Sequence, residues 1–207
     1  MPSDSAIREE TRAQGLRIKK NNLVAAFLSG LTLVFVSAEF VVPSRAGFLF
    51  GLFVGFVYAN GFEYCLHRFL LHRGRGIFSQ QHMVHHSTLG SPEAARYVNF
   101  SRNPWGVVAL FGANALPFLI LQWTSHNGWV AGAFVSFAIY YVAFEEIHWR
   151  THMGGWLPAW LAPAARHHLR HHAHDKSHFN VFLPMFDWLV GQVANASAHH
   201  RVRREVR

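Results

Sequence analysis

The sequence predicts an all-α integral membrane protein with about four transmembrane helices and a histidine-rich cap on one face of the bilayer. Three observations predict it. Hydrophobic residues make up 51% of the 207 and charged residues only 14%, where a soluble domain carries about 25% charge. The apolar residues collect in four blocks, each near the roughly 20 residues that cross a bilayer core, so mean hydropathy is only +0.10. The basic residues alternate with the blocks. Of 19 Lys and Arg, five precede the first block, one follows it, five follow the second, none the third and eight the fourth.

The elements follow in order. Residues 1–22 are polar and basic and read as a cytoplasmic tail or a short surface helix. Leu23–Val42 is the first span, with Pro43 and Ser44 ending it. It lacks the short apolar region and cleavage motif of a signal peptide, so it is expected to stay as a helix. Gly47–Leu66 is the second span, and Gly47, Gly51 and Gly55 on one face mark a close helix approach. Residues 67–104 are polar. Trp105–Trp123 and Trp129–Ile147 are the third and fourth spans, joined by a short link. WLPAWLA and FLPMFDWLV are too short to span and read as interfacial or as packed on the membrane domain. The membrane domain is taken as 23–195, with a basic tail over 196–207. Four spans place 18 of the 19 basic residues on one side, which the positive-inside rule makes the cytoplasm, together with both termini. The net charge of +8 therefore flanks the membrane, and nucleic acid is not expected as a partner.

Cys65 is the only cysteine, which excludes an internal disulfide and a thiolate zinc site. Histidine is different. There are 16, and fifteen fall on the cytoplasmic side, with His126 alone in the third loop. Eleven of the fifteen are grouped as His67 and His72, then His82, His85 and His86, then His148 and His152, then His167, His168, His171 and His172. On a helix, positions i, i+3 and i+4 share a face, so each H-x-x-H-H is expected to aim three imidazoles one way. His67 and His72 would diverge by about 140° on an α-helix, serving two metals unless the helix ends between them. A structural zinc site takes four ligands and a haem one or two axial histidines, so a metal or haem carrier leaves most of these imidazoles unexplained. Ten suit two metals with about five each, and imidazole alone does not choose among Zn, Cu, Fe and Ni.

The order H-x4-H, H-x2-H-H, H-x3-H, H-x2-H-H resembles the fatty acid hydroxylase/sterol desaturase superfamily. EYCLHRFLLH, IHWRTHMGG and HHLRHHAHDKSHFNVFLPMFDWLVG look most like the fatty acid 2-hydroxylases, over about Glu63 to Gly191. The resemblance implies four membrane helices and a cytosolic cap with two metals, iron when active and zinc as a substitute. Carried over, the ligands are His67, His72, His82, His85, His86, His148, His152, His168, His171 and His172, with His167 an additional neighbour. The stretch from His72 to His82 is shorter than in the eukaryotic 2-hydroxylases and closer to the compact bacterial carotenoid hydroxylases.

The implied reaction is O2-dependent insertion of oxygen into a lipid alkyl chain, at carbon 2 of an acyl group. Carotenoid or sterol hydroxylation or desaturation is the alternative. The electrons are expected from a separate carrier of the cytochrome b5 or ferredoxin kind. Glu63 and Glu145 share helical faces with His67 and His148, and are expected to receive a ligand's other N–H. Asp175 is a further candidate for that role and Asp187 reads as that or a cap. The third and fourth spans, through FGANALPFLILQW and VSFAIYYVAF, are expected to supply the apolar lining of the substrate slot.

Overall fold

The computed structural model describes residues 3–126 and 128–191. The expected tail 196–207 lies outside the described residues. Among those described there are helices and no strand. Six α-helices appear in order: α1 (Asp4–Phe40), α2 (Arg45–Cys65), α3 (Ile77–Ser87), α4 (Pro104–Ser125), α5 (Val130–Met153) and α6 (Ala162–Ala173). Four of them are long and apolar enough to cross a membrane, and the chain is an integral membrane protein.

The stretch expected as a tail or a short surface helix is helical and forms the start of α1, unbroken through residue 22. Ser3 caps it by accepting the Ala6 N–H, and its first half is packed rather than free. The Thr11 hydroxyl donates to the Pro92 carbonyl at 2.7 Å, Lys19 pairs with Glu146, and Asn22 donates to the Ser101 carbonyl and to Glu145. At about 1.5 Å per residue, α1 is longer than the roughly 30 Å hydrocarbon core, so its N-terminal turns stand beside the cap.

Helix α2 is capped by the Ser44 hydroxyl, which accepts from Gly47 N–H at 3.0 Å. Gly51 and Gly55 meet α5 backbone to backbone: a Cβ at either would collide with the Trp129 or Ala133 main chain, and one at Gly132 with the Phe48 carbonyl. These glycines bring α2 and α5 together side by side. Past Cys65 the helix continues for Leu66–Leu71 as a π-helix, which the His72 N–H closes on the His67 carbonyl at 3.1 Å. Asn103 caps α4, and Pro117 sits inside it, as membrane helices tolerate. Helix α5 runs six residues beyond the expected Ile147 end, which keeps His148 and His152 on one rigid element.

α1 packs on both α4 and α5, and α2 packs along α5. Phe111 of α4 and Phe137 and Tyr141 of α5 fill the centre. Trp156, Trp160 and Trp188, from the two short apolar pieces, are exposed, as suits indoles at a membrane–water boundary.

Candidate metal centre

The ten histidines named above converge where α2 and α5 end, in two nests of five. One holds His67, His72, His82, His86 and His171, and the other His85, His148, His152, His168 and His172. Within each nest the five ligand atoms lie within 4.8 Å of one another.

Two local features sort them. The π-helix closes five residues per hydrogen bond, so His67 and His72 come to one face instead of diverging, and both enter the first nest. The H-x-x-H-H trios do the opposite of what was expected: each divides. His82 and His86 of α3 join the first nest and His85 the second, whereas His168 and His172 of α6 join the second and His171 the first. At 3.6 residues per turn, positions i+3 and i+4 stand about 100° apart on opposite sides of i. A helix lying across the gap between two nests therefore sends i and i+4 one way and i+3 the other.

The facing nitrogens are all Nε2. In the first nest His82 approaches His67 at 3.0 Å, His72 at 3.0 Å and His86 at 3.1 Å, while His72 approaches His171 at 2.9 Å. In the second, His85 lies 3.2 Å from both His148 and His172, and His168 lies 2.9 Å from His152 and 3.1 Å from His172. Hydrogen bonds do not account for this. One ring nitrogen has either one N–H or one lone pair, yet His82 Nε2 faces three others. His67 and His171 direct Nδ1 at the carbonyls of Phe179 and Ser177. A carbonyl only accepts, so Nδ1 carries the proton and Nε2 presents a bare lone pair. Lone pairs crowded in this way suit a shared cation. Neighbouring ligands on a metal with N at about 2.1 Å would stand about 3 Å apart, the spacing found here.

The carboxylates lie one step further out than expected. Glu63 bonds no imidazole. It accepts from Tyr140 O–H at 2.5 Å, Asn180 Nδ2 at 3.0 Å and Val181 N–H at 2.6 Å, which ties α2 to the segment presenting the Phe179 carbonyl. Glu145 likewise accepts from Tyr141, Asn22 and the Phe100 N–H, joining α1, α5 and the loop before α4. Residues near a ligand in sequence share its helical face, but these side chains turn to unpaired donors on adjacent elements. His167 stands outside both nests and meets Asp187 at 2.9 Å. Asp187 is more than a cap, since it also accepts the Phe179 and Asn180 N–H groups. Burial alone would raise its pKa, but these bonds hold it below the usual carboxylate range. Asp175 is exposed and reaches His72 and His171 through its charge. The sequence reading missed Asn60, Tyr140 and Asn180, which join Glu63 in one buried network. Asn60 was the available signal, a lone amide in an apolar span.

Burial first, then the neighbouring imidazoles, push the basicity of His82, His85 and His168 well down, and bring His172 to about 3. Burial also brings His171 to about 4. The cap therefore holds neutral ligands at physiological pH, as metal binding requires. The linkage has a definite sign. An unfolded chain takes up these protons near pH 6.5 while the folded one refuses them, so stability is complete above that pH and falls as pH drops through it. Metal-free protein in detergent should show a falling Tm from pH 7 to 5, and a flat Tm over that range would contradict the buried neutral cluster.

A narrow cavity lies against both nests, lined by His67, His82, His85 and His148 together with Leu66 and Phe144. It adjoins an apolar slot, with Glu63, Leu66, Phe100 and Phe144 common to both. The slot has Ala59 and Phe62 of α2 on one side and Phe137, Tyr140 and Tyr141 of α5 on another. The expected α5 segment is present. From α4 only Leu110 contributes, one residue before the expected stretch, because α4 packs mainly on α1.

Comparison with curated proteins and with solved structures returned no match. The model of the fatty acid hydroxylase family matches residues 21–192, most of the chain and all ten clustered histidines, and the chain belongs to that family.

Proposed function

We propose that the protein is an O2-dependent membrane hydroxylase that uses two iron ions to oxidise a fatty acyl chain next to its carboxyl end. Membership in the family makes it a membrane oxidoreductase of the hydroxylase/desaturase kind. The observation that carries the finer reading is the pair of five-imidazole nests set against an apolar slot. All ten histidines would hold the metals, His67, His72, His82, His86 and His171 one of them and His85, His148, His152, His168 and His172 the other, with zinc as an inactive substitute. Bound iron would supply reductive O2 activation and oxygen insertion into an unactivated C–H bond, chemistry that side chains lack. Overall, one C–H, one O2, two electrons and two protons give one C–OH and one water.

The chain's own residues do the rest. The neutral imidazoles leave the metal charge uncancelled. The Phe179 and Ser177 carbonyls orient His67 and His171. Leu66 and Phe144 keep water from the alkyl chain. The basic residues beside the cap suit an anionic head group or an acidic electron carrier. Growth under labelled O2, with the gene on and off, should add one labelled oxygen at carbon 2 of an acyl chain. Label confined to sterols or carotenoids would overturn the acyl assignment, and no label in any lipid would overturn the hydroxylase reading.

The cap and both termini would face the cytoplasm, because 18 of 19 basic residues share that side. A reporter at His126 should sit in the opposite compartment, and a cytoplasmic signal there would refute this orientation.

A further inference from the structure

We infer that the slot beneath the nests takes a single linear alkyl chain, tail toward the bilayer centre, and that Tyr58 and Asn114 close its far end and so set the chain length selected. This rests on the acyl reading above and deepens it.

The walls fix the direction. Along α2, the residues run from His67 at the nests back through Leu66, Phe62 and Ala59 to Tyr58. Along α5, they run from His148 through Phe144 and Tyr141 to Phe137. At about 1.5 Å per residue, those paths descend roughly 14 to 16 Å from the imidazoles. The polar atoms of the walls are turned away and used: Tyr140 O–H donates to Glu63 and Tyr141 O–H to Glu145. What faces the slot is ring and hydrocarbon.

Tyr58 stands beyond Ala59 and borders the lining rings of Phe62 and Phe137. Tyr58 O–H donates to Asn114 Oδ1 at 2.6 Å, a bond from α2 to α4 just past Ala59 and Leu110 of the lining. The Tyr58 ring packs edge-on against Phe118 at 4.7 Å, and lies 6.0 Å from Phe62 and 6.2 Å from Phe137. Asn114 and Phe118 are buried, and the Asn114 amide is itself held by the Leu110 carbonyl. A hydrogen-bonded phenol inside an aromatic packet is a firm stop. A narrow apolar space between two helices held close by glycine suits one unbranched chain.

The test is displacement of a fluorescent fatty acid from the metal-loaded protein in detergent by lauric, myristic, palmitic and stearic acids, with cholesterol as the ring-system control. Wild type should rank the acids with an optimum and ignore cholesterol. Tyr58→Ala removes the stop and should favour chains longer than that optimum, by about tenfold for two added methylenes at the usual burial gain per CH2. Ala59→Leu fills the slot and should move the optimum the other way. The opposite shifts keep the test decisive even where one variant fails to fold. An unchanged ranking in a folded variant, or displacement by cholesterol as strong as by the acids, would overturn the proposal. Its failure is separable from that of the hydroxylase reading: a length optimum without labelled product sinks the reaction and keeps the slot, and labelled product with an insensitive ranking does the reverse.

Discussion

Replacing His171 by alanine should lower the bound metal from two equivalents per chain to one, and replacing the adjacent His172 should do the same by emptying the other nest. The two residues are neighbours in sequence and belong to different nests. Double variants separate this arrangement from a simpler one in which each trio serves one metal. His171→Ala with His67→Ala removes two donors from the same nest and should still leave one metal. His171→Ala with His172→Ala takes one donor from each and should leave close to none. Every one of these variants should lose at least about 100-fold in activity, since loss of even an outer partner of a metal ligand costs 10–100-fold. Metal per chain, measured by elemental mass spectrometry beside circular dichroism, is the readout. If the His171/His172 double variant keeps one metal and the His171/His67 variant keeps none, the partition of the nests is wrong.

The second large effect concerns Glu63. Its carboxylate is the common acceptor for Tyr140, Asn180 and the Val181 N–H, all inside the protein. Glu63→Ala leaves those donors without their acceptor, at about 1–3 kcal/mol for each buried group, so a loss of roughly 3 kcal/mol or more is expected. The segment it releases presents the Phe179 carbonyl to His67 and continues to Ser177, which holds His171. Both belong to the first nest, so that nest should lose metal before the second does. Glu63→Gln retains an acceptor oxygen and should fall between. Thermal unfolding together with metal content under increasing chelator reads both effects. A Glu63→Ala protein with wild-type Tm and two equally held metals would show that the network has no such role.

The contrast between Glu63 and the histidines shows which properties were local. The four spans were legible because crossing a bilayer is a demand on composition and length, and a run such as Trp105–Trp123 meets it without reference to other residues. The identity of the ten histidines was legible for a related reason. Imidazoles repeated at i, i+3 and i+4 are a chemical pattern written along the chain, and the family match over residues 21–192 covers all ten. The α1 helix was only half legible. Its N-terminal turns are polar, and what makes them part of the fold is the meeting of Thr11 with Pro92 and of Asn22 with Ser101 and Glu145, residues about 80 to 120 positions away.

Composition and spacing alone specified a membrane protein of four spans with ten closely spaced imidazoles on one side. How those imidazoles divide between the nests came from packing, as did the bracing roles of Glu63 and Glu145, which bond none of them, and the place of α2 instead of α4 as the slot's second wall. Each nest is defined by nitrogens about 3 Å apart in space. Spacing along a helix sets only the direction in which a side chain leaves. Whether His85 and His86 go to one ion or two depends on where α3 lies relative to α6 and α5, and whether His67 and His72 converge depends on one π-helical turn. Both follow from packing between segments far apart in the chain, which no local pattern records.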